Sequence, residues 1–396
     1  MNTKSYAIVT ASYWGFTLTD GALRMLVLLH FHALGYSPVS LAFLFLLYEF
    51  CGVLTNLLGG WLGSRTGLKF TLYAGLTLQV LALVMLSLMN PAWATALSVS
   101  YVMTSQALSG IAKDLTKMSS KSAVKLLVAD QSGALFKWVS ILTGSKNALK
   151  GVGFLLGGVL LTWLGFQGAL WAMAGGLALV LLASLIYLKQ DMGKTKQKVK
   201  FNQLFSKSRE INWLSAARLF LFASRDVWFV VALPVFLKES LGWSFNQVGS
   251  FMAAWVIGYG FVQAAAPKFV RKTDPNQAAV TWAGILAITT AALAVAIMLD
   301  FHPVASLLSG LALFGIVFAV NSAVHSYLIL NFTNDDEVAL NVGFYYMGNA
   351  WGRLLGTLLS GVMFLVGGLT ACLWTSAAMV VLATLLTVPL RKDSTP

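Results

Sequence analysis

Apolar segments of about twenty residues, the length an α-helix needs to cross a bilayer, recur along the entire chain, AAVTWAGILAITTAALAVAIML at 278–299 being one of them. In hydrocarbon every backbone N–H and C=O must be satisfied inside its own segment or in a closed barrel. Barrel strands would show short stretches of alternating polarity, which this sequence lacks, so the segments are expected to be helices. Composition points the same way: of 396 residues, 58% are hydrophobic and only 10% charged, against about 25% charged in a soluble domain. An all-α membrane protein is expected, with the lipid bilayer as its solvent.

Turn chemistry divides the chain. Breaks at GYSP (35), NP (90), LGF (164) and FHP (301) leave twelve expected spans. They lie near 10–33, 38–61, 70–89, 92–112, 135–163, 167–188, 211–237, 246–266, 277–299, 303–330, 339–365 and 368–389. The longest polar stretch, KQDMGKTKQKVKFNQLFSKSRE, falls in the middle. A six-helix bundle over 1–188, a linker over 189–210 and a second six-helix bundle over 211–396 are therefore expected. The halves echo each other. F-x-x-x-D followed by LGYS in the first matches FASRD followed by LGWS in the second, which sets Asp20 against Asp226, and NALKG at 147 echoes NAWGR at 349.

Orientation follows from lysine and arginine. Lys4, Arg65 with Lys69, the run from Lys113 to Lys125, the central polar stretch, Lys268 to Lys272 and Arg391 with Lys392 fall on one side, and Lys238 stands alone on the other. Both termini are expected to be cytoplasmic, in a multi-pass protein of the inner cell membrane. MNTKSYAIVT runs straight into the first span without the features of a signal peptide. The net charge of +13 is then mostly topological, and a nucleic-acid partner is not needed to explain it. Cys51 and Cys372 lie in different halves, and His30, His32, His302 and His325 have no ligand spacing. No metal, cofactor or enzymatic nucleophile set is expected.

Ionisable groups inside the spans carry the functional signal. Arg24, Lys137, Lys146, Lys150, Arg218, Arg225 and Arg353 lie in or at the ends of helices, against Asp20, Glu49 and Asp226 at similar depth. Each costs a few kcal/mol at the bilayer centre and normally faces a bundle interior or wet cavity. The positive excess predicts an anionic ligand. Asp20 and Arg24, like Lys146 and Lys150, are four residues apart, and Arg218 and Arg225 are seven apart, so each pair shares a helical face. Arginine forks fit oxyanions in bidentate geometry and lysine supplies a mobile point charge.

Arg24, Lys146, Lys150, Arg218, Arg225 and Arg353 are thus candidate anion ligands, and Asp20, Glu49 and Asp226 candidate proton carriers or gates. Simpler readings stand beside these. Asp20 and Arg24 could form an intrahelical ion pair, Lys137 could snorkel to the cytoplasmic face, and Arg353 could pair with Glu49. The stripe Lys113, Lys117, Lys121, Lys125 has a constant spacing of four. It reads first as a topology signal at the lipid headgroups, and more sharply as a cytoplasmic vestibule in which Lys113, Lys117 and Lys121 collect an anion.

Two six-helix halves joined by a polar linker resemble the major facilitator superfamily, in which sites lie near the midplane between repeats and access alternates by rocking. GGWLGSRTG after the second span resembles that superfamily's loop signature G-x-L-x-D-R-x-G, with Ser64 in place of the acid. More specifically, FTLTDGALRMLVLLHFH, QALSGIAKDLTKMSSKSAVKLL, LTGSKNALKG and ARLFLFASRDVWFVVALPVFL are similar to the ArsJ family of organoarsenical efflux permeases. That resemblance implies export of 1-arseno-3-phosphoglycerate, made by a partner glyceraldehyde-3-phosphate dehydrogenase that uses arsenate in place of phosphate, and hence arsenate resistance. The same basic residues would serve an organophosphate:phosphate exchanger or another organic-anion exchanger. A membrane-embedded transferase or a receptor is the rival of a different class, and it lacks a convergent catalytic set.

Overall fold

A computed structural model describes residues 3–36, 44–90, 92–128, 134–189, 208–270 and 273–390. Among them the secondary structure is helical throughout. The helices are α1 (Thr3–Ala33), α2 (Leu46–Thr66), α3 (Leu68–Ser87), α4 (Thr95–Leu127), α5 (Ala134–Tyr187) and α6 (Arg209–Phe229), followed by α7 (Ala232–Glu239), α8 (Phe245–Val270), α9 (Pro275–Met298), α10 (Pro303–Asn331) and α11 (Val338–Thr387).

Local chemistry explains the boundaries. At Gly67 the backbone takes φ 93°, and its N–H returns to Gly63 O. This ends α2 and starts α3 one residue later, as a left-handed glycine allows. Asp274 caps α9 by accepting from Gln277 N at 3.0 Å, with Pro275 in the first turn. α5 leaves helical geometry at Gly165 (φ 66°), and α11 at Gly367 and Gly368, the latter with φ 63°. These interruptions fall where the sequence predicts the breaks between spans five and six and between eleven and twelve. The seventh expected span is observed as α6 and α7.

Two boundaries differ from expectation. α1 starts at Thr3 rather than near residue 10. α4 does not stop near residue 112 but continues through all four lysines to Leu127. The spacing of four keeps those lysines on one face, and that face is covered: Lys113 and Lys121 are 8% and 4% exposed. The reading of the stripe as a headgroup marker is corrected accordingly. The expected linker at 189–210 lies almost wholly outside the described residues.

Seven stretches among the described residues are long and apolar enough to cross a membrane: α3, α5, α6 with α7, α8, α9, α10 and α11. The long helices missing from that set, α1, α2 and α4, are those into which Asp20, Arg24, Glu49, Asn56, Lys113 and Asp114 bring polarity. The outer surface is apolar, with Trp163 80% and Leu365 87% exposed. Hydrocarbon, not water, is the matching solvent for such a surface.

The chain forms two compact units. The first contains Met1–Trp138, Ser145–Phe205 and Thr333–Met347, and the second Val139–Gly144, Ser206–Phe332 and Gly348–Pro396. In the first, Leu23, Leu26, Phe31, Leu83, Leu86 and Leu170 build an apolar core. In the second, Trp228, Phe314, Phe318, Leu286 and Leu373 do so, with Trp228 and Phe314 edge to face at 5.0 Å.

Glycines let the helices approach at backbone distance. A Cβ on Gly153 of α5 would lie 2.6 Å from Leu18 O of α1, and one on Gly352 of α11 only 2.1 Å from Leu219 O of α6. Such small-residue contacts substitute in lipid for a hydrophobic driving force. Gly157 meets Ala22 O as Gly356 meets Ala223 O. In this register Leu18 corresponds to Leu219, Ala22 to Ala223 and Arg24 to Arg225. The expected equivalence of Asp20 with Asp226 is corrected: Asp226 falls beyond the position that Asp20 would occupy.

Candidate functional site

The first unit gathers charge from four helices. Arg24 of α1 donates through Nη2 to Glu49 Oε1 at 3.1 Å. Glu49 of α2 also faces Lys113 of α4, Nζ to Oε2 at 3.6 Å. Lys113 lies 3.8 Å from the ring centre of Tyr48, a cation–π contact, and the Tyr48 hydroxyl donates to Asp20 Oδ1 at 2.5 Å. Asp20 Oδ2 in turn is 3.7 Å from Lys150 Nζ of α5. Asp20 and Arg24 are therefore partnered across helices, not with each other as an intrahelical pair.

Close packing makes this arrangement possible. A Cβ on Gly110 of α4 would lie 2.4 Å from Tyr48 O, which brings Lys113 one turn later up to Tyr48 and Glu49. Gly21 sits against Lys150 O in the same way, beside the Asp20–Lys150 pair. Asp114, 1% exposed, forms an ion pair with Lys113 at 3.6 Å and binds the ammonium of Lys117. Lys117 and Lys121 lie over the ring of Tyr346, in the first turns of α11, at 4.6 and 5.0 Å. Lys146 is half-buried and donates to Asn147 Oδ1 at 3.1 Å.

The second unit concentrates arginine. Arg225 Nε donates to Asp226 Oδ1 at 2.7 Å, and Arg353 Nε reaches Asp226 Oδ2 at 3.4 Å. One carboxylate, 1% exposed, thus faces two guanidiniums. Gly356 leaves the room: a Cβ there would come within 2.9 Å of Asp226 Cβ. Arg353 is paired with Asp226, and Glu49 with Arg24 and Lys113.

Arg218, 2% exposed, donates to Asn349 Oδ1 at 3.0 Å and to Ser322 O and Oγ at 3.2 and 3.1 Å. Gln263 also donates to Ser322 Oγ, at 3.2 Å. Phe222 lies between the two arginines of α6 in sequence, with its ring centre 4.0 Å from the Arg218 guanidinium and 4.9 Å from that of Arg225. Such stacking holds guanidiniums in place while leaving edge N–H groups available.

Apart from Lys146, whose described hydrogen bond is to its neighbour Asn147, the candidate residues fall into two constellations, one per unit, and Lys137 is exposed beside Trp138. Both constellations carry more cationic than anionic side chains, buried where a free charge is costly. The chain belongs to the Major Facilitator Superfamily. That superfamily matches residues 7–296 and 214–396. No curated protein sequence matches the chain.

Among solved structures of the superfamily type, a bacterial homologue of the iron transporter ferroportin in its outward-facing state has a TM-score of 0.81 at 14% identity, covering 98% of this chain and 99% of its own. The human organic anion transporter MFSD10 (TETRAN) gives 0.75 at 16% identity over 98% and 99%. The proton:xylose symporter XylE gives 0.78 at 14% identity over 98% and 96%. At these identities the likeness shows the fold alone; it is the superfamily match that makes the chain a multi-pass membrane transporter.

Within that fold several polar residues of the constellations had no signal of their own in the sequence. Tyr48, Ser322 and Asn349 are held against the charged groups by contacts between different helices, and Asp114 by Lys113 and Lys117 on its own helix. His325 is 1% exposed, and its ring nitrogens have no hydrogen-bond partner among the described residues.

Proposed function

We propose that this transporter exports an organic oxyanion by alternating access, and that the anion is 1-arseno-3-phosphoglycerate. The observation that carries the reading is the second unit's pair of guanidiniums, Arg225 and Arg353, on the one carboxylate Asp226, with the buried Arg218 across the Phe222 ring from Arg225. Two planar donors with one acid between them are suited to an arriving oxyanion, which replaces the carboxylate as their partner. Lys146, Lys150, Arg24 and Lys113 give the first unit the same polarity, with Lys117 and Lys121 as the vestibule through which the anion arrives. Asp20, Glu49 and Asp226 hold the cations when no anion is bound, and are the groups positioned to carry a coupling proton.

The sequence resemblance to organoarsenical permeases supplies the arsenic. A glyceraldehyde-3-phosphate dehydrogenase would be the functional partner that makes the ester. Twelve spans, a bundle over 1–188, a linker over 189–210, a bundle over 211–396, cytoplasmic termini and the inner cell membrane complete the reading. The distribution of lysine and arginine and the interruptions at Gly165 and Gly367–Gly368 support it.

Donors of this kind bind phosphate as readily as arsenate, which favours a second reading as an organophosphate:phosphate exchanger or another organic-anion exchanger. The structural neighbour described as an organic anion transporter is compatible with either. In arsenate-challenged cells that also express the dehydrogenase, Arg225→Gln or Lys146→Gln should abolish resistance while membrane expression is kept. Wild-type resistance in both variants would overturn the site.

A further inference from the structure

In the first unit, α2 and α4 form the walls of a surface groove of about 440 Å³. The α2 wall is the helical face of Cys51, Thr55, Leu58 and Leu62, and the α4 wall is Ile111 and Leu115, one turn apart. Gly59 keeps the floor clear, since a Cβ there would come within 2.9 Å of Leu115 Cδ2. Among the described residues no charged side chain lines the groove, so it is no part of the constellation of Arg24, Glu49 and Lys113. Leu54 and Leu58 are 52% and 43% exposed, and the groove therefore opens on an apolar surface whose solvent is hydrocarbon. Left empty, it would forfeit the dispersion contacts its walls can make, and water would find few polar partners there.

Length and charge select the occupant. At the rise of an α-helix, Cys51 to Leu62 spans about 16 Å, close to the hydrocarbon depth of one leaflet, half of a core about 30 Å thick. Trp61 lines the groove near its far end, and the guanidinium of Arg65, an exposed residue, lies 4.7 Å from the Trp61 ring centre. Tryptophan is enriched where hydrocarbon meets headgroups, and an arginine just beyond that boundary attracts anionic lipid.

We propose that this groove is a binding site for an anionic phospholipid, one acyl chain lying along Cys51–Leu62 and the phosphate resting on Arg65. The groove supplies the apolar contact and Arg65 the charge, so a lipid with a negatively charged headgroup satisfies both. A free oxyanion has no chain to fill the groove, and the site stands apart from the transported substrate.

Reconstitution of the full-length protein in phosphatidylcholine vesicles, with a trace of phosphatidylglycerol carrying a diazirine on its acyl chain, tests the site. On illumination the label should concentrate on Cys51–Leu62 and on Ile111 and Leu115, and unlabelled phosphatidylglycerol should displace it. Arg65→Gln should weaken that competition about fivefold, the worth of one basic residue at an anionic surface. Thr55→Phe, which puts a ring into the groove, should abolish labelling there and leave unchanged the background labelling at Ile288 of α9, 73% exposed, which also reports that the variant is folded. Label spread evenly over the groove and Ile288, or groove labelling that survives Thr55→Phe, would overturn the site. Competition by phosphatidylcholine as strong as by phosphatidylglycerol, unchanged in Arg65→Gln, would overturn the anionic headgroup. Oxidative cross-linking of Cys51 to Cys51 between copies, with no label in the groove, would overturn the proposal in favour of a second copy of this chain.

Discussion

Glu49 and Asp226 are where the account is most exposed to single substitutions. Glu49 holds Arg24 and Lys113 at once, so it competes with an arriving anion for the same cations. Glu49→Gln should lower KM and also lower kcat, because the anion then leaves a more positive site more slowly; initial-rate transport kinetics read both. Asp226 differs in degree. It is buried between Arg225 and Arg353, and Asp226→Asn leaves two guanidiniums without their carboxylate, a change that costs about 3–5 kcal/mol for a buried pair. A large drop in melting temperature of the purified protein is expected. At this scale the sequence revealed the charged residues well, since a charge inside an apolar run has no cheap explanation. It did not reveal their partners: Asp20 next to Arg24 on one helical face suggested a local pair, but Tyr48 and Lys150 offer Asp20 contacts that no spacing rule encodes.

At the level of helices, glycine contacts decide where the charges meet. Gly352→Val should destabilise the protein by about 1–3 kcal/mol, the usual result of forcing bulk into a packed contact, because its Cβ would strike Leu219 O. Gly175→Ala, with nothing within 4 Å of the added Cβ, should be neutral or stabilising, since alanine favours helix. A thermal melt of both variants in detergent measures the contrast. The helix ends at Gly165 and Gly367–Gly368 were legible because apolar periodicity stops at glycine. The end of α4 was not. Lysines repeating every four residues fit a helix as well as a charged loop, and it is partners such as Glu49, Asp114 and the rings of Tyr48 and Tyr346 that make their burial tolerable. The internal repeat was legible as an echo of motifs, while its register in the first helix of each half is set by Gly153 and Gly352, whose partners the sequence does not show.

For the molecule as a whole, family membership and an all-helical transporter fold follow from the match to the Major Facilitator Superfamily and from the apolar surface. The proposed orientation has its own check: in a cysteine-free background, Ser240→Cys should react with an impermeant thiol reagent added outside intact cells, and Thr273→Cys should react only after the membrane is opened. The reverse pattern would invert the topology. Substrate identity is the central claim, and uptake into inverted vesicles tests it most directly, with the arsenoester generated outside them by glyceraldehyde-3-phosphate dehydrogenase and arsenate. The account predicts saturable uptake that 3-phosphoglycerate competes and Arg225→Gln abolishes. Uptake no greater than in vesicles lacking the protein, or equal uptake by Arg225→Gln, would contradict it.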